Sequence, residues 1–218
     1  MPHEACAGFG RHYEVGHAGC RANSGEDSRL PQASASRHFC RVLGFVDLTE
    51  FIPGLHVELR YATARNFLGR PVYPSPRAWL REPVAARLAV VETSLRRQGW
   101  GLKVWDAFRP AAVQREMWRI LPDPCFVAPP ERGSRHTRGA AVDVTVVDLR
   151  TGLEGDMGTD FDDFSPLAAS ECPDLPAELQ ARRQWLRREM QAAGFSGIRS
   201  EWWHFDAVDW EQFPLVES

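Results

Sequence analysis

At 218 residues, 44% of them hydrophobic and 25% charged, the chain has the composition of a soluble globular protein with one sizeable core. No apolar run approaches the ~20 residues that a membrane helix needs, and a net charge of −3 supplies no basic field for a phosphate backbone. Membrane-spanning, collagen-like and nucleic-acid-binding classes are therefore set aside.

Residues 1–41 mix Gly, Ser, Ala, Arg and His without periodicity and read as a disordered extension, which leaves 42–218 as a single domain. A small metal site from Cys6, His12, His17 and Cys20 is disfavoured, because those spacings match no common zinc module. Five cysteines with no C-x-x-C pair do not indicate a disulfide framework. The start of the chain lacks the apolar stretch of a secretory signal, so the expected compartment is the cytoplasm.

LHVELRY (55–61) alternates Leu55, Val57, Leu59 and Tyr61 with His56, Glu58 and Arg60, the period-two pattern of a half-buried strand with His56 on its polar face. A Pro-rich loop follows. Pro83 then opens a helix in which Val84, Leu88, Val91 and Leu95 recur at helical steps, and Gly99 closes it. LKVWDAF (102–108) reads as a strand, and after Arg109-Pro110 a helix runs through Val113, Met117 and Ile120 until Pro122 stops it. GAAVDVTVVDL (139–149) is strand-like, with Val142, Val144 and Val146 on one face and Ala141, Asp143, Thr145 and Val147 on the other. Residues 150–176 form a long loop of the kind that is often functional. Leu179, Leu186, Met190 and Ala193 mark a helix after Pro176, ended by Gly194, and FSGIRSEWWHFDAV (195–208) reads as a hairpin. Intermixed strands and helices without regular βαβ alternation predict an α+β domain: a mostly antiparallel central sheet flanked by helices.

Four of the seven histidines fall in the first forty residues, so chemistry in the body has His56, His136 and His204 to draw on. His136 precedes a predicted strand, Asp143 lies within it, and His204 belongs to the terminal hairpin. Two imidazoles and a carboxylate are a known catalytic zinc set that leaves a fourth position open for water. Glu201, three residues before His204, supplies a base, provided it lies on a turn or where the strand begins, since strand positions three apart face opposite ways. Taken singly, Asp143 also fits a hydrogen-bonded core carboxylate and His204 a packed core ring. The combination favours the metal, because a buried unpaired carboxylate costs several kcal/mol.

At these residues the sequence resembles the zinc D-alanyl-D-alanine dipeptidases. The pattern S-x-H-x-x-G-x-A-x-D is matched by Ser134, His136, Gly139, Ala141 and Asp143, and E-W-W-H by Glu201 through His204. LRYATARNFLGRPVY (59–73), WDAFRP (105–110) and DMGTDFD (156–162) match as well. The resemblance implies a fold shared with D,D-carboxypeptidases and the hedgehog signalling domain, with one zinc per chain on His136, Asp143 and His204. It makes Glu201 the general base and later the acid, Arg109 the donor that steadies the oxyanion, and Asp162 the receiver of the dipeptide's free amino end. Ser134 and Tyr61 match positions that help hold the substrate's carboxylate end. The implied reaction is hydrolysis of free D-alanyl-D-alanine to two D-alanines. Two rivals are a D,D-carboxypeptidase or endopeptidase acting on peptidoglycan peptides and a zinc-bearing binding protein without activity. The first usually carries Pro where Trp202 stands, and the second needs neither Glu201 nor Arg109. Two features depart from the family: the segment before Ser134 is short, and the first forty residues have no counterpart.

Overall fold

The computed structural model describes residues 44–217, so the extension expected over 1–41, and with it Cys6, His12, His17 and Cys20, lies outside the described residues. The strands are β1 (Phe45–Asp47), β2 (His56–Val57), β3 (Trp79–Arg81), β4 (Trp100–Asp106), β5 (Ala141–Asp148), β6 (Phe195–Gly197) and β7 (His204–Ala207). The helices are α1 (Leu48–Phe51), α2 (Glu82–Arg97), α3 (Ala111–Ile120) and α4 (Ala177–Ala192). Five strands form the main sheet in the order β2-β4-β5-β7-β6, antiparallel except for the β2–β4 pair, while β1 and β3 make a separate antiparallel ribbon. This is the α+β architecture expected. Among the described residues, no helix is long and apolar enough to cross a membrane.

Helix α2 forms where its apolar spacing requires. Pro83 occupies the first turn, where a missing N–H costs nothing, and Glu82 at one end and Arg96 and Arg97 at the other complement the helix dipole. Val84, Leu88, Val91 and Leu95 are buried along one stripe. Glu92, buried on the same helix, accepts the Leu102 N–H at 2.6 Å and so ties α2 to β4. Strand β5 is buried from Ala141 to Val147, on both faces, so its polar residues Asp143 and Thr145 lie inside the protein.

The strand expected over 55–61 is corrected to the two residues of β2, after which the chain enters a 3-10 turn at Arg60–Ala62. Arg60 is the physical reason. Expected on a polar face, it is buried over the Trp105 ring at 4.9 Å and pairs with Asp160 at 3.3 Å, which pulls the backbone out of the sheet. His56 is exposed, as expected.

The loop over 150–176 is anchored despite lacking regular structure. Phe161 packs against Trp105 at 5.6 Å and Trp203 at 5.9 Å, and buried Arg183 of α4 donates to the carbonyls of Met157, Leu167 and Ala169. Loop residues 168 and 170 also bond the hairpin connection: Trp202 N–H donates to Ala168 O, and Ser170 N–H to Arg199 O, each at 3.0 Å. The hairpin connection and the long loop therefore hold each other in place.

Candidate active site

Three strands bring acidic and imidazole side chains into register, with Asp106 of β4 opposite Asp143 of β5, and Asp143 opposite His204 of β7. His136 arrives from outside the sheet, on a 3-10 turn (His136–Arg138) that ends at Gly139 in the left-handed conformation, φ 69°. A Cβ at Gly139 would lie 2.3 Å from Cε1 of the Phe45 ring, so only glycine turns the chain here. Gly139→Ala should therefore destabilise the fold by about 2–4 kcal/mol, from left-handed strain and overpacking together, as a lowered urea midpoint at unchanged slope.

His136 Nε2, Asp143 Oδ1 and His204 Nδ1 converge, with separations of 3.2 Å between the imidazole nitrogens, 3.4 Å from His136 to Asp143 and 3.0 Å from His204 to Asp143. The edges of a tetrahedron with metal bonds of about 2.0–2.1 Å are roughly 3.3 Å long, so the three donors already have the spacing that zinc imposes. Their outer nitrogens settle which atoms face inward. His136 Nδ1 lies 2.8 Å from the Ala107 carbonyl, and His204 Nε2 lies 2.9 Å from Asp206 Oδ1; both partners only accept, so both nitrogens carry the proton. In the neutral form each ring then aims a lone pair at the other, with a carboxylate oxygen beside them. That arrangement repels itself unless a cation sits among the three atoms.

Without a metal, a proton takes the cation's place. Burial disfavours charge on His204, but Asp206 and Asp143 overcome it and raise the imidazole well above its usual range. Burial would likewise raise Asp143, yet His136 and His204 hold it below the usual carboxylate range. A metal ion held by these three atoms would have to displace the His204 proton, so zinc affinity is expected to increase with pH toward that raised value. Chelator competition should show tighter binding at about pH 8 than at about pH 6, and equal affinities would contradict this balance.

Glu201 lies in the connection between β6 and β7, just before β7 begins, which is the placement its spacing from His204 required. Burial pushes its carboxyl up to about 8, with Asp143 and Asp162 adding and His204 and Arg109 opposing. A divalent cation alongside would draw that value down toward neutrality, where a general base works best.

Arg109 is buried and fixed. Its Nε and one terminal nitrogen donate to Asp106 Oδ2 at 3.1 and 2.7 Å, and the other terminal nitrogen donates to Gln114 Oε1 at 3.0 Å. Three of five N–H groups are thereby engaged. The terminal nitrogen that bonds Asp106 also lies 3.9 Å from Asp143 Oδ2, which puts the guanidinium beside one of the convergent residues. Burial opposes its charge, but Asp106 leads the neighbours that keep it protonated.

Asp162 is the one described non-glycine residue with positive φ, at 58°, a conformation held at a cost. Its Oδ1 accepts the Tyr61 hydroxyl at 2.9 Å and its Oδ2 the Phe67 N–H at 3.0 Å. Burial nonetheless pushes the carboxyl up to about 7. Tyr61, the residue that the resemblance associates with the substrate's carboxylate end, donates its hydroxyl proton to Asp162. Ser134 is buried and its Oγ accepts the His136 N–H at 3.2 Å, which leaves the hydroxyl proton free to donate.

Sequence reasoning missed Asp106, Gln114, Tyr73 and Asp206. Asp106 is fully buried and accepts from Tyr73, the Ala107 N–H and Arg109, so it fixes Arg109 from below. Its signal was present in WDAFRP, where an acid stands three residues before the arginine.

A family model described as D-ala-D-ala dipeptidase matches residues 41–214. Proteins named D-alanyl-D-alanine dipeptidase are similar in sequence. That of Escherichia coli is 36% identical over 78% of this chain and 88% of its own length. Those of Streptomyces coelicolor and Enterococcus faecalis are 33% and 30% identical, over 74% and 78% of this chain and 89% and 94% of theirs. Among solved structures, the LD-carboxypeptidase LdcB is similar at 14% identity and a TM-score of 0.43, over 76% of this chain and 68% of that one. The match over nearly all of the described residues, on a site with this donor set, makes the chain a member of the D-Ala-D-Ala dipeptidase family of metallopeptidases.

Proposed function

We propose that the protein hydrolyses free D-alanyl-D-alanine to two D-alanines, with His136, Asp143 and His204 holding one zinc per chain. The observation that carries the metal is the opposition of two imidazole lone pairs beside a carboxylate at 3.0–3.4 Å. The names of the similar proteins support the substrate. Zinc, when bound, polarises the scissile carbonyl and lowers the pKa of a water in its open position to about 7.

The chain's own residues supply the rest. Glu201 takes the proton of the attacking water and returns it to the leaving amine. Arg109, held in place by Asp106 and Gln114, donates from its guanidinium to the developing oxyanion. Asp162, oriented by Tyr61 and the Phe67 N–H, receives the ammonium end, and Ser134 donates to the carboxylate end. Arg109→Ala should lower kcat about 10²–10³-fold in steady-state assays of the zinc-loaded protein. The cytoplasm, as the place of action, belongs to the same proposal.

The test is D-alanine release from the free dipeptide and from an N-acetylated tripeptide ending in the same two residues. The proposal expects release from the dipeptide alone. Matching rates would make the enzyme a carboxypeptidase, and no release from either by a zinc-loaded protein would make it a binding protein.

A further inference from the structure

The two imidazoles of the site are held in different ways. His136 is fixed by main chain, through Ala107 O. His204 depends on a side chain, for its Nε2 meets Asp206 Oδ1 at 2.9 Å. Asp206 stands two residues further along β7 and so on the same face. It is buried, 4% exposed, and its other oxygen accepts from Arg135 at 2.6 Å. Arg135 in turn lies over the Trp210 ring at 4.6 Å, which limits its freedom. Arg135 also immediately precedes His136, and its carbonyl accepts the Ala140 N–H at 3.0 Å across that turn. One short segment therefore carries one metal-facing histidine and the clamp on the other.

We propose that Asp206 and Arg135 form a positioning pair that selects Nδ1 of His204 as the metal-facing nitrogen and sets how tightly zinc is held. An imidazole left alone exchanges its proton between two nitrogens and rotates about its side-chain bonds. An acceptor fixed at Nε2 stops both, and a carboxylate acceptor also makes the opposite nitrogen a stronger donor to a metal. Arg135 completes the device by holding Asp206 in the orientation that points one oxygen at the ring and by offsetting its charge. Asp206 touches neither substrate nor zinc in this scheme; it acts through His204. The inference rests on the zinc reading above and adds to it a residue that the metal set alone does not require.

The experiment measures the zinc dissociation constant by chelator competition for full-length wild type, Asp206→Ala, Asp206→Asn and His136→Ala, with apo melting curves to verify folding. Asp206→Ala should bind zinc about 10–100-fold more weakly than wild type. Asp206→Asn keeps a carbonyl oxygen for the ring but loses the charge and presents a donor to Arg135, so it should fall between the two. The visible spectrum of the cobalt-loaded Asp206→Ala protein should also shift, because it reads ligand geometry. A purely structural carboxylate would lower the apo melting temperature and leave the zinc constant of the folded protein unmoved. Folded Asp206 variants that bind zinc as wild type does, while His136→Ala loses it, would overturn this inference and leave the zinc reading intact. Wild type without zinc, or His136→Ala with full affinity, would overturn both. If Asp206→Ala does not fold, the near-isosteric Asp206→Asn decides the matter by the same measure.

Discussion

Glu201→Gln should lower kcat on D-alanyl-D-alanine by about 10²–10⁴-fold, the range that a positioned general base contributes, while zinc content and KM stay near wild type. The amide keeps the size of the carboxylate and its place in the β6–β7 connection, so a loss of rate reports chemistry and not folding. Zinc content should not change, because Glu201 lies outside the convergent donor set. The acid limb of the pH profile should belong to the same group. The base works only when ionised, and burial raises its pKa to about 8 in the metal-free protein. With zinc bound, which would lower that value, activity should fall as pH drops through it. A Glu201→Gln enzyme within tenfold of wild type would assign the proton transfer elsewhere.

Asp162→Asn should have two effects of opposite sign. Removing the charge that receives the substrate ammonium should cost about 2–5 kcal/mol of transition-state binding in kcat/KM, since a buried charge pair loses one partner. Stability should move the other way. A carboxyl whose folded pKa is raised to about 7 penalises the folded state increasingly as pH rises from the ordinary Asp value through 7, and fully above it. Asparagine carries no such penalty and tolerates the φ of 58° better than most residues. The apo variant should therefore melt above the wild type at about pH 8 and match it more closely at about pH 4. A variant less stable at both values, with kcat/KM unchanged, would remove Asp162 from the substrate site. The two effects together would mark a residue kept for binding at the expense of the fold.

The elements legible in the sequence are those long enough to carry a period. Helices α2, α3 and α4 and strands β4 and β5 announced themselves through apolar spacing, Pro starts and Gly stops. The ribbon of β1 and β3 did not, because three-residue strands contain no repeat to read. The strand over 55–61 was overextended because alternation placed Arg60 outside, while Asp160 and the Trp105 face, distant in sequence, draw it in. The three convergent residues His136, Asp143 and His204, and Glu201, were legible as residue types in ordered motifs. Asp206 was not, since an aspartate on a strand looks the same whether it faces water or a histidine, and the spacing in WDAFRP that hints at Asp106 does not say what it holds. Only the register of β4, β5 and β7 shows what each one touches. The hydrogen bond from Tyr61 to Asp162 was hidden for the same reason, for a contact across 101 positions leaves no local trace.

The most direct test of the account is zinc content of the purified protein, measured beside D-alanine release from the free dipeptide, for wild type and His136→Ala. The wild type should carry one zinc per chain and hydrolyse the dipeptide, with both lost in the variant. A His136→Ala protein that kept stoichiometric zinc, or a wild type that released D-alanine equally well after complete zinc removal, would contradict it.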